Sequence, residues 1–172
     1  SKIFKTGWEI HMNISFCKAD YKDLKKLLSL CREAVNAPYS TWNEDYPNEE
    51  ILKQDIAAGT LYIIQMDYRD AGLIAAGENG ELNCLPWDGA ACRPCEIARF
   101  GLVSQMRGKG LSRLVLKEAI ELCKQQGFDI IRLIASCGQP VVKRLYEGEG
   151  FQSFGTARLF EHDFVCYQKR IV

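Results

Sequence analysis

The chain has 172 residues, which fits one domain of ordinary size, and its hydrophobic fraction of 47% is enough to form a core. Lysine plus arginine and aspartate plus glutamate each number 22, and the resulting net charge of zero argues against a nucleic-acid binder with a general basic surface. No apolar stretch approaches the roughly 20 residues that span a bilayer, and the N-terminus lacks the apolar core of a signal peptide. We therefore expect no membrane association and a cytoplasmic location.

Met12 is a candidate natural start. Residues 1–12 are expected to be an N-terminal extension or a cloning remnant, and residues 13–172 a single domain. Hydrophobic periodicity and turn residues predict eleven elements in this domain. In chain order they are a strand near 13–16, a helix capped by Asp20, a helix from Asn48 to Gly59, strands at 61–66, 72–78 and 95–103, a helix from Gly110 to Gln126, a strand at 129–136, a helix at 140–147, and strands near 152–160 and 164–171. Strands and helices in this order predict an α/β or α+β fold, with helices on the faces of a sheet.

The helix predicted over 110–126 has an apolar stripe and a glycine at its end. Gly127 is expected to end the helix, because glycine adopts the left-handed conformation of a helix C-terminus at low cost. The residues expected on the buried side are Leu111, Leu114, Val115, Ala119, Leu122 and Cys123.

Eight cysteines are scattered through the predicted helices and strands, and reduced thiols, several of them buried, are the expected state. Cys92 and Cys95 form a C-x-x-C with Cys84 nearby, which leaves a metal or redox site open as an alternative. A structural zinc site takes four ligands, whereas the chain has no second C-x-x-C and only two histidines, His11 and His162. We therefore expect no bound metal.

The segment "SQMRGKGLS" (104–112) places two glycines and two cations between a predicted strand and a predicted helix. Gly108 and Gly110 let an anion approach the backbone at the first N–H groups of the helix, which have no intrahelical partner. Arg107 and Lys109 add charge-assisted contacts. The segment lacks both the G-K-[ST] of a Walker A loop and the third glycine of the dinucleotide motif. It predicts a pyrophosphate cradle, with an ordinary surface turn as the alternative.

Three segments resemble those of one enzyme family. "QMRGKGLS" (105–112) resembles the Q/R-x-x-G-x-G/A acetyl-CoA loop of the GNAT N-acetyltransferases, and "CEIARFGLV" (95–103) resembles the strand that precedes it. "KRLYEGEGF" (143–151) resembles the C-terminal "LYEKLGF" segment of the family. With the order of elements, the resemblance covers residues 13–171. It implies the GNAT fold, a mixed sheet of about seven strands flanked by about four helices.

The resemblance implies transfer of an acetyl group from acetyl-CoA to a small amine or a peptide amine, without a metal. Glu96 matches the family's general base, which acts through a water, and Tyr146 matches the tyrosine that protonates the departing thiolate. A backbone N–H near Leu102 is expected to polarise the thioester carbonyl. The residues expected to contact acetyl-CoA are Phe100, Leu102, Val103, Gln105, Arg107, Gly108, Lys109, Gly110, Leu111, Ser112 and Gln139.

The chain departs from the family pattern at three positions. Ser104, Gln139 and Val142 stand where the family usually has proline, asparagine and alanine. These departures concern the side-chain contact near Gln139 and leave the phosphate loop unchanged. A CoA-binding regulatory protein without transfer activity remains the alternative function.

The segment "PYSTWNEDYPNEE" (38–50) interleaves aromatic and acidic residues, and in the family this region lines the acceptor side of the cleft. Aromatic faces and carboxylates suit a cationic amine, through cation–π contacts and charge pairing. The alternative is a solvated acidic loop whose aromatic residues cover the core. The oligomeric state is left open, with a homodimer as one option. The candidate acceptor-binding residues are Tyr39, Trp42, Glu44, Asp45 and Tyr46.

Overall fold

The structure, a computed structural model, describes residues 2–5, 8–35, 42–87, 89, 93–106 and 110–172. Within these ranges the chain forms nine strands and four helices, together with short 3-10 turns at Tyr21–Asp23 and Ser104–Met106. The strands are β1 (Lys2–Lys5), β2 (Trp8–His11), β3 (Ile14–Lys18), β4 (Leu61–Met66), β5 (Arg69–Gly77), β6 (Pro94–Leu102), β7 (Ile130–Ser136), β8 (Gln152–Leu159) and β9 (His162–Arg170). The helices are α1 (Leu24–Val35), α2 (Glu49–Ala58), α3 (Leu111–Gln125) and α4 (Pro140–Gly148).

Seven of the strands form one mixed sheet in the order β3-β4-β5-β6-β7-β9-β8. Every neighbouring pair is antiparallel except β6 and β7, which are parallel and are joined through α3. A parallel pair needs such a crossover connection, so the long helix predicted between these strands fixes their relative direction. The predicted α/β class and the order of elements from β3 onwards are confirmed.

Residues 2–11, which the sequence assigned to an extension, contain a pair of strands that was not predicted. β1 and β2 form a separate two-stranded antiparallel sheet, in which Lys2 pairs with His11 and Lys5 pairs with Trp8.

Alternation along the central strands divides the core into two layers. In β4, Leu61 and Ile63 face one layer, whereas Tyr62 and Ile64 face the other, as a period of two requires. The first layer packs against α1 and α2, and the second packs against α3 and the buried face of α4. The sheet is therefore covered by helices on both faces, which explains its nearly continuous apolar central strands.

Local capping residues set the ends of α2 and α3. The Asn48 side chain accepts a hydrogen bond from the backbone N–H of Ile51 at 3.0 Å and begins α2, as predicted. Gly127, with φ +83°, follows α3, where the N–H of Phe128 bonds the carbonyl of Cys123 and the N–H of Gly127 bonds that of Lys124. These two bonds define a Schellman motif, which confirms the predicted glycine stop.

The buried face of α3 is rotated from the predicted one. Leu114 and Leu122, expected in the core, are only partly buried, whereas Leu116 and Ile120 are buried. The stripe that faces the sheet is centred on Ala119, and at about 100° per residue it reaches Leu116 and Ile120 before Leu114. Sequence periodicity located the stripe, but the docking of α3 on the sheet sets its centre.

Candidate active site

A cleft opens in the middle of the sheet because β6 and β7 separate. Their parallel pairing covers only Pro94–Glu96 of β6, although both strands continue beyond it. A cavity of about 590 Å³ occupies the gap. Its walls come from β6 and β7, α4, the β8–β9 hairpin and the turn around 42–46. This volume lies within the range of small-molecule sites.

An extra residue in β6 bends this strand beside the cavity. Leu73 pairs with Gly101 and Ala75 pairs with Ala98, so two steps along β5 correspond to three along β6. Arg99 adopts φ +50° within this irregularity. A bulge of this kind re-aims side chains, and Arg99 and Phe100, which lie within it, both line the cavity.

Glu96 lies at the point where β6 leaves β7, and it is buried in the cavity wall. Its Oε1 accepts a hydrogen bond of 2.8 Å from the backbone N–H of Leu82. Burial raises the pKa of the Glu96 carboxyl, while the Leu82 N–H acts in the opposite direction and the charge of Glu81 adds to the increase. The carboxylate is thus held in one orientation, with its basicity raised.

Tyr146, on α4, lines the same cavity and is also buried. Its ring makes an edge contact with Phe151 and a tilted contact with Tyr167, at centroid distances of 5.6 and 5.7 Å. Burial raises the pKa of the Tyr146 hydroxyl to about 12, with a smaller contribution from Tyr167. The hydroxyl therefore keeps its proton near neutral pH and can donate it.

The start of α3 has an open backbone. Gly110 is the N-cap residue with φ +71° and ψ 12°, and a Cβ added there would meet no atom of the described residues within 4 Å. The first turn of α3 carries no acidic residue. Orphan N–H groups, the helix dipole and the missing acid make this end of α3 suitable for an anion. Arg107, Gly108 and Lys109 of the predicted cradle lie outside the described residues.

The other residues expected to contact acetyl-CoA lie on β6, around the start of α3 and before α4. Gln105 is exposed, Ser112 and Gln139 are partly exposed, and Leu111 is buried in the core. Leu102 and Val103 are buried at the end of β6, and the Val103 N–H bonds the Ala71 carbonyl at 2.9 Å.

The structure separates the aromatic and acidic residues of the expected acceptor segment. Trp42 and Tyr46 line the cavity, whereas Glu44 and Asp45 lie exposed at the tip of a turn closed by an Asn43–Tyr46 bridge. Tyr39 lies outside the described residues.

A charged cluster that the sequence did not predict lies beside Tyr46 at the cavity. Arg99 lines the cavity and lies 3.1 Å from Asp55 of α2, measured from Nε to Oδ2. The same guanidinium lies 3.5 Å from Glu81 and 3.4 Å from the Tyr46 hydroxyl. These groups come from four separate parts of the chain. One signal for this cluster was available in the sequence, the isolated Arg99 within the strand predicted at 95–103.

The described cysteines are free thiols, and among the described residues no group of three or more His, Cys, Asp and Glu side chains could hold a metal ion. Cys95 is buried with its Sγ 3.4 Å from that of Cys123, whereas Cys84 is exposed. Cys92 lies outside the described residues. Cys95 therefore faces α3 within the core.

Comparison with known proteins identifies the family. The sequence model described as the acetyltransferase (GNAT) family matches residues 24–151, so the chain belongs to this family. N-acetyltransferase family 8 member 2 of Rattus norvegicus is 26% identical over 116 residues, which are 67% of this chain and 46% of that protein. The chain thus spans less than half the length of this curated relative.

Solved structures share the fold. A GNAT-family acetyltransferase from Streptococcus agalactiae has a TM-score of 0.73 and 20% identity, covering 92% of this chain and 95% of that chain. The acetyltransferase yncA from Salmonella typhimurium, solved with its cofactor acetyl-CoA, has a TM-score of 0.65 and 18% identity, covering 95% of each chain. The predicted seven-stranded GNAT sheet with four helices is confirmed. No helix in the described part of the chain has the length and apolar character needed to cross a membrane.

Proposed function

We propose that this chain transfers the acetyl group of acetyl-CoA directly to a primary amine. The observation that carries the proposal is the convergence of Glu96 and Tyr146 on one cavity, at the point where β6 leaves β7. Glu96 has a raised basicity and can accept a proton, whereas Tyr146 keeps its proton and can donate it. Amine acetylation requires a base and an acid of this kind. Membership of the GNAT family and a neighbour solved with acetyl-CoA support the same reaction.

The residues at the start of α3 fit the pyrophosphate of acetyl-CoA. The open space at Gly110 allows close approach to the backbone, and the acid-free first turn of α3 favours an anion. The N–H groups from Gly110 to Ser112 would hold the phosphates together with the preceding loop. Phe100 in the cavity wall and Leu111, the first residue of α3, are eleven residues apart. One continuous stretch of chain would therefore contact both the thioester end and the pyrophosphate of acetyl-CoA.

The end of β6 has an edge suited to an extended pantetheine arm. Because Val103 pairs with Ala71 through its N–H, alternation directs the N–H of Leu102 to the opposite side of β6, away from β5. A backbone donor in this position would stabilise negative charge on the thioester oxygen. We assign this role to Leu102, and we assign contacts along the arm to Phe100 and Val103.

Bound acetyl-CoA supplies the reactive thioester, and the protein supplies the proton transfers. Glu96 accepts the proton of the attacking ammonium, directly or through a water. The amine nitrogen then forms a bond to the acetyl carbon as the bond from that carbon to sulfur breaks. Tyr146 donates its proton to the departing sulfur. The acetylated nitrogen releases its surplus proton to solvent, and Tyr146 regains a proton from solvent. General acid or base catalysis of this kind contributes roughly 10²–10⁴-fold to the rate.

A thiol-release assay with acetyl-CoA and a panel of amines tests the proposal. We expect release that depends on the amine and falls in Glu96→Gln and Tyr146→Phe. Glu121→Gln and Tyr68→Phe are matched controls, because both residues are exposed and neither lines the cavity. Acetyl-CoA binding without release for any amine would instead favour a CoA-binding regulatory protein. Unchanged rates in both site variants would refute the assigned acid and base.

A further inference from the structure

A buried ion pair lies beside Tyr46, one of the cavity residues from the segment expected to bind the acceptor. Arg99 Nε lies 3.1 Å from Asp55 Oδ2, and Arg99 Nη2 donates to Asp55 Oδ1 at 3.3 Å. Only 7% of the Arg99 side chain and 5% of the Asp55 side chain are exposed. Arg99 lines the cavity, whereas Asp55 lies behind it on α2. Asp55 thus neutralises, from outside the cavity, the charge that Arg99 presents within it.

This arrangement is costly for the fold. Burying two charges carries a desolvation penalty that their attraction only partly repays. Asp55 Oδ2 and Arg99 Nε, although close, are both buried without a hydrogen bond of good geometry. Arg99 also adopts a left-handed backbone conformation inside a strand. Strain and buried charge of this kind concentrate at functional sites, so the pair calls for a role in ligand recognition.

Glu81 provides the half-exposed charge of this region. Its side chain is 48% exposed, and its contact with Arg99 is 3.5 Å, at the outer limit of a hydrogen bond. Glu81 lines the cavity together with Glu96. After Arg99 and Asp55 cancel, these two carboxylates set the charge of the cavity. A positive group is therefore attracted, and a negative group is repelled.

We propose that Glu81, together with the Asp55–Arg99 ion pair, selects an acceptor that carries a second positive charge, as a diamine or polyamine does. Glu81 binds the remote ammonium, while Glu96 serves the amine that reacts. The aromatic faces of Trp42 and Tyr46, on the same cavity wall, suit the alkyl chain and the cation. Asp55 is a positioning residue, since it acts only by cancelling Arg99. The inference rests on the proposed transfer reaction for the role of Glu96.

Three acceptors of equal chain length test the charge preference: diaminobutane, butylamine and γ-aminobutyrate. Each has four carbons and a primary amine that can react, and the end away from that amine is positive, neutral or negative. We expect kcat/KM to fall in that order, with about tenfold between diaminobutane and butylamine, as a half-exposed charge pair allows. Calorimetric binding of each acceptor in the presence of CoA is measured in parallel, so that selection is tested even without turnover.

Two substitutions separate the roles. Glu81→Gln should reduce the preference for diaminobutane over butylamine to about twofold or less, mainly through KM. Glu44→Gln should leave it unchanged, because that carboxylate lies outside the cavity. Asp55→Asn leaves the charge of Arg99 uncancelled, so it should shift the preference towards γ-aminobutyrate although Asp55 does not line the cavity. If Asp55→Asn fails to fold, adding Arg99→Gln removes the stranded charge, and the double variant should favour diaminobutane.

The outcomes distinguish the inference from the proposed function. Diaminobutane binding in the expected order, without thiol release, would support the selection and refute the transfer reaction. Thiol release with equal rates for all three acceptors, or fastest with γ-aminobutyrate, would overturn the selection alone. An unchanged preference in Glu81→Gln would do the same. Failure of all three acceptors to bind or react would overturn the selection, while the wider amine panel would still decide whether the chain transfers the acetyl group.

Discussion

Gly110→Asp tests whether the start of α3 binds the pyrophosphate. Gly110 is exposed, and in the part of the chain that the structure describes a Cβ at this position would meet no atom within 4 Å, so a side chain fits there. The cost to the fold comes from φ +71°, a left-handed conformation that costs an L-residue about 1–2 kcal/mol. Asparagine and aspartate tolerate this conformation better than other residues. Gly110→Asn is therefore the matched control, with the same strain and shape but without the charge.

The difference between the two variants measures the electrostatic part of binding. Two unit charges 4 Å apart interact by about 1 kcal/mol in water and about 4 kcal/mol at an effective dielectric constant of 20. Gly110 is exposed, so the lower end applies, and repulsion from two phosphates amounts to about 1–2 kcal/mol. The Asp variant should therefore bind acetyl-CoA about 5–30-fold more weakly than the Asn variant.

Titration calorimetry with acetyl-CoA measures the two dissociation constants, at low salt and at about 0.5 M salt, where screening should shrink the difference. Gly155→Asp serves as a control for folding, because Gly155 also has a left-handed φ and open space around it. Equal affinities of the Asn and Asp variants at low salt would refute a phosphate site at Gly110, provided that both keep the melting temperature of Gly155→Asp within a few degrees.

Four further predictions concern the buried groups Tyr146 and Glu96 and the glycine that ends α3. Tyr146→Phe should lower kcat by about 10²-fold with an unchanged acetyl-CoA dissociation constant, measured by thiol release and calorimetry, because the hydroxyl acts only on the leaving sulfur. Glu96→Gln should remove the acid limb of the pH–rate profile. The pKa of Glu96 is raised by burial, so this carboxyl contributes stability below about pH 4.5 that is lost as pH rises through the folded pKa. Glu96→Gln should therefore raise the melting temperature more at about pH 8 than at about pH 4, and equal shifts would contradict this sign. Gly127→Ala should lower the free energy of unfolding by about 1–2 kcal/mol, measured with urea, because φ is +83° and the new Cβ would lie 2.7 Å from the Arg93 side chain.

Local signals predicted most of the fold. Asn48 and Gly127 act through their own backbone neighbours, so their roles are visible in a few consecutive residues. The same holds for strand alternation in β4. The orientation of α3 is different, because it depends on how the helix packs against the sheet. Periodicity alone therefore put Leu114 in the core and missed Leu116.

The expected acceptor segment contains a turn signal that predicts exposed carboxylates. The Asn43 side chain accepts a hydrogen bond of 2.8 Å from the N–H of Asp45, which is an Asx turn. The sequence N-E-D is typical of such a turn, and turn tips point to solvent. Turn chemistry therefore favoured exposed positions for Glu44 and Asp45, and the cavity carboxylates come from Glu81 and Glu96.

The charged cluster depends on contacts between distant parts of the chain. Asp55 and Arg99 are 44 residues apart, and Arg99 meets Asp55 of α2 from within the bulge of β6, which re-aims side chains. No local pattern predicts a bulge with arginine at the left-handed position. The family resemblance implies roles for Glu96 and Tyr146, but it carries no information about Asp55.

The left-handed residues of the chain show why Arg99 stands apart. Five non-glycine residues in the described ranges have positive φ, and four of them occupy the tips of the β4–β5 and β8–β9 hairpins: Asp67, Tyr68, Phe160 and Glu161. Two-residue hairpins require such angles, so those four residues are explained by the turns themselves. Arg99 alone lies inside a strand, where pairing with β5 would otherwise continue without interruption. The extra residue lies just beyond the point where β6 loses its pairing with β7, and it places a buried cation at one end of the resulting cleft. A strained residue at the one position where the sheet opens is better explained by the ligand that enters there than by the stability of the strand.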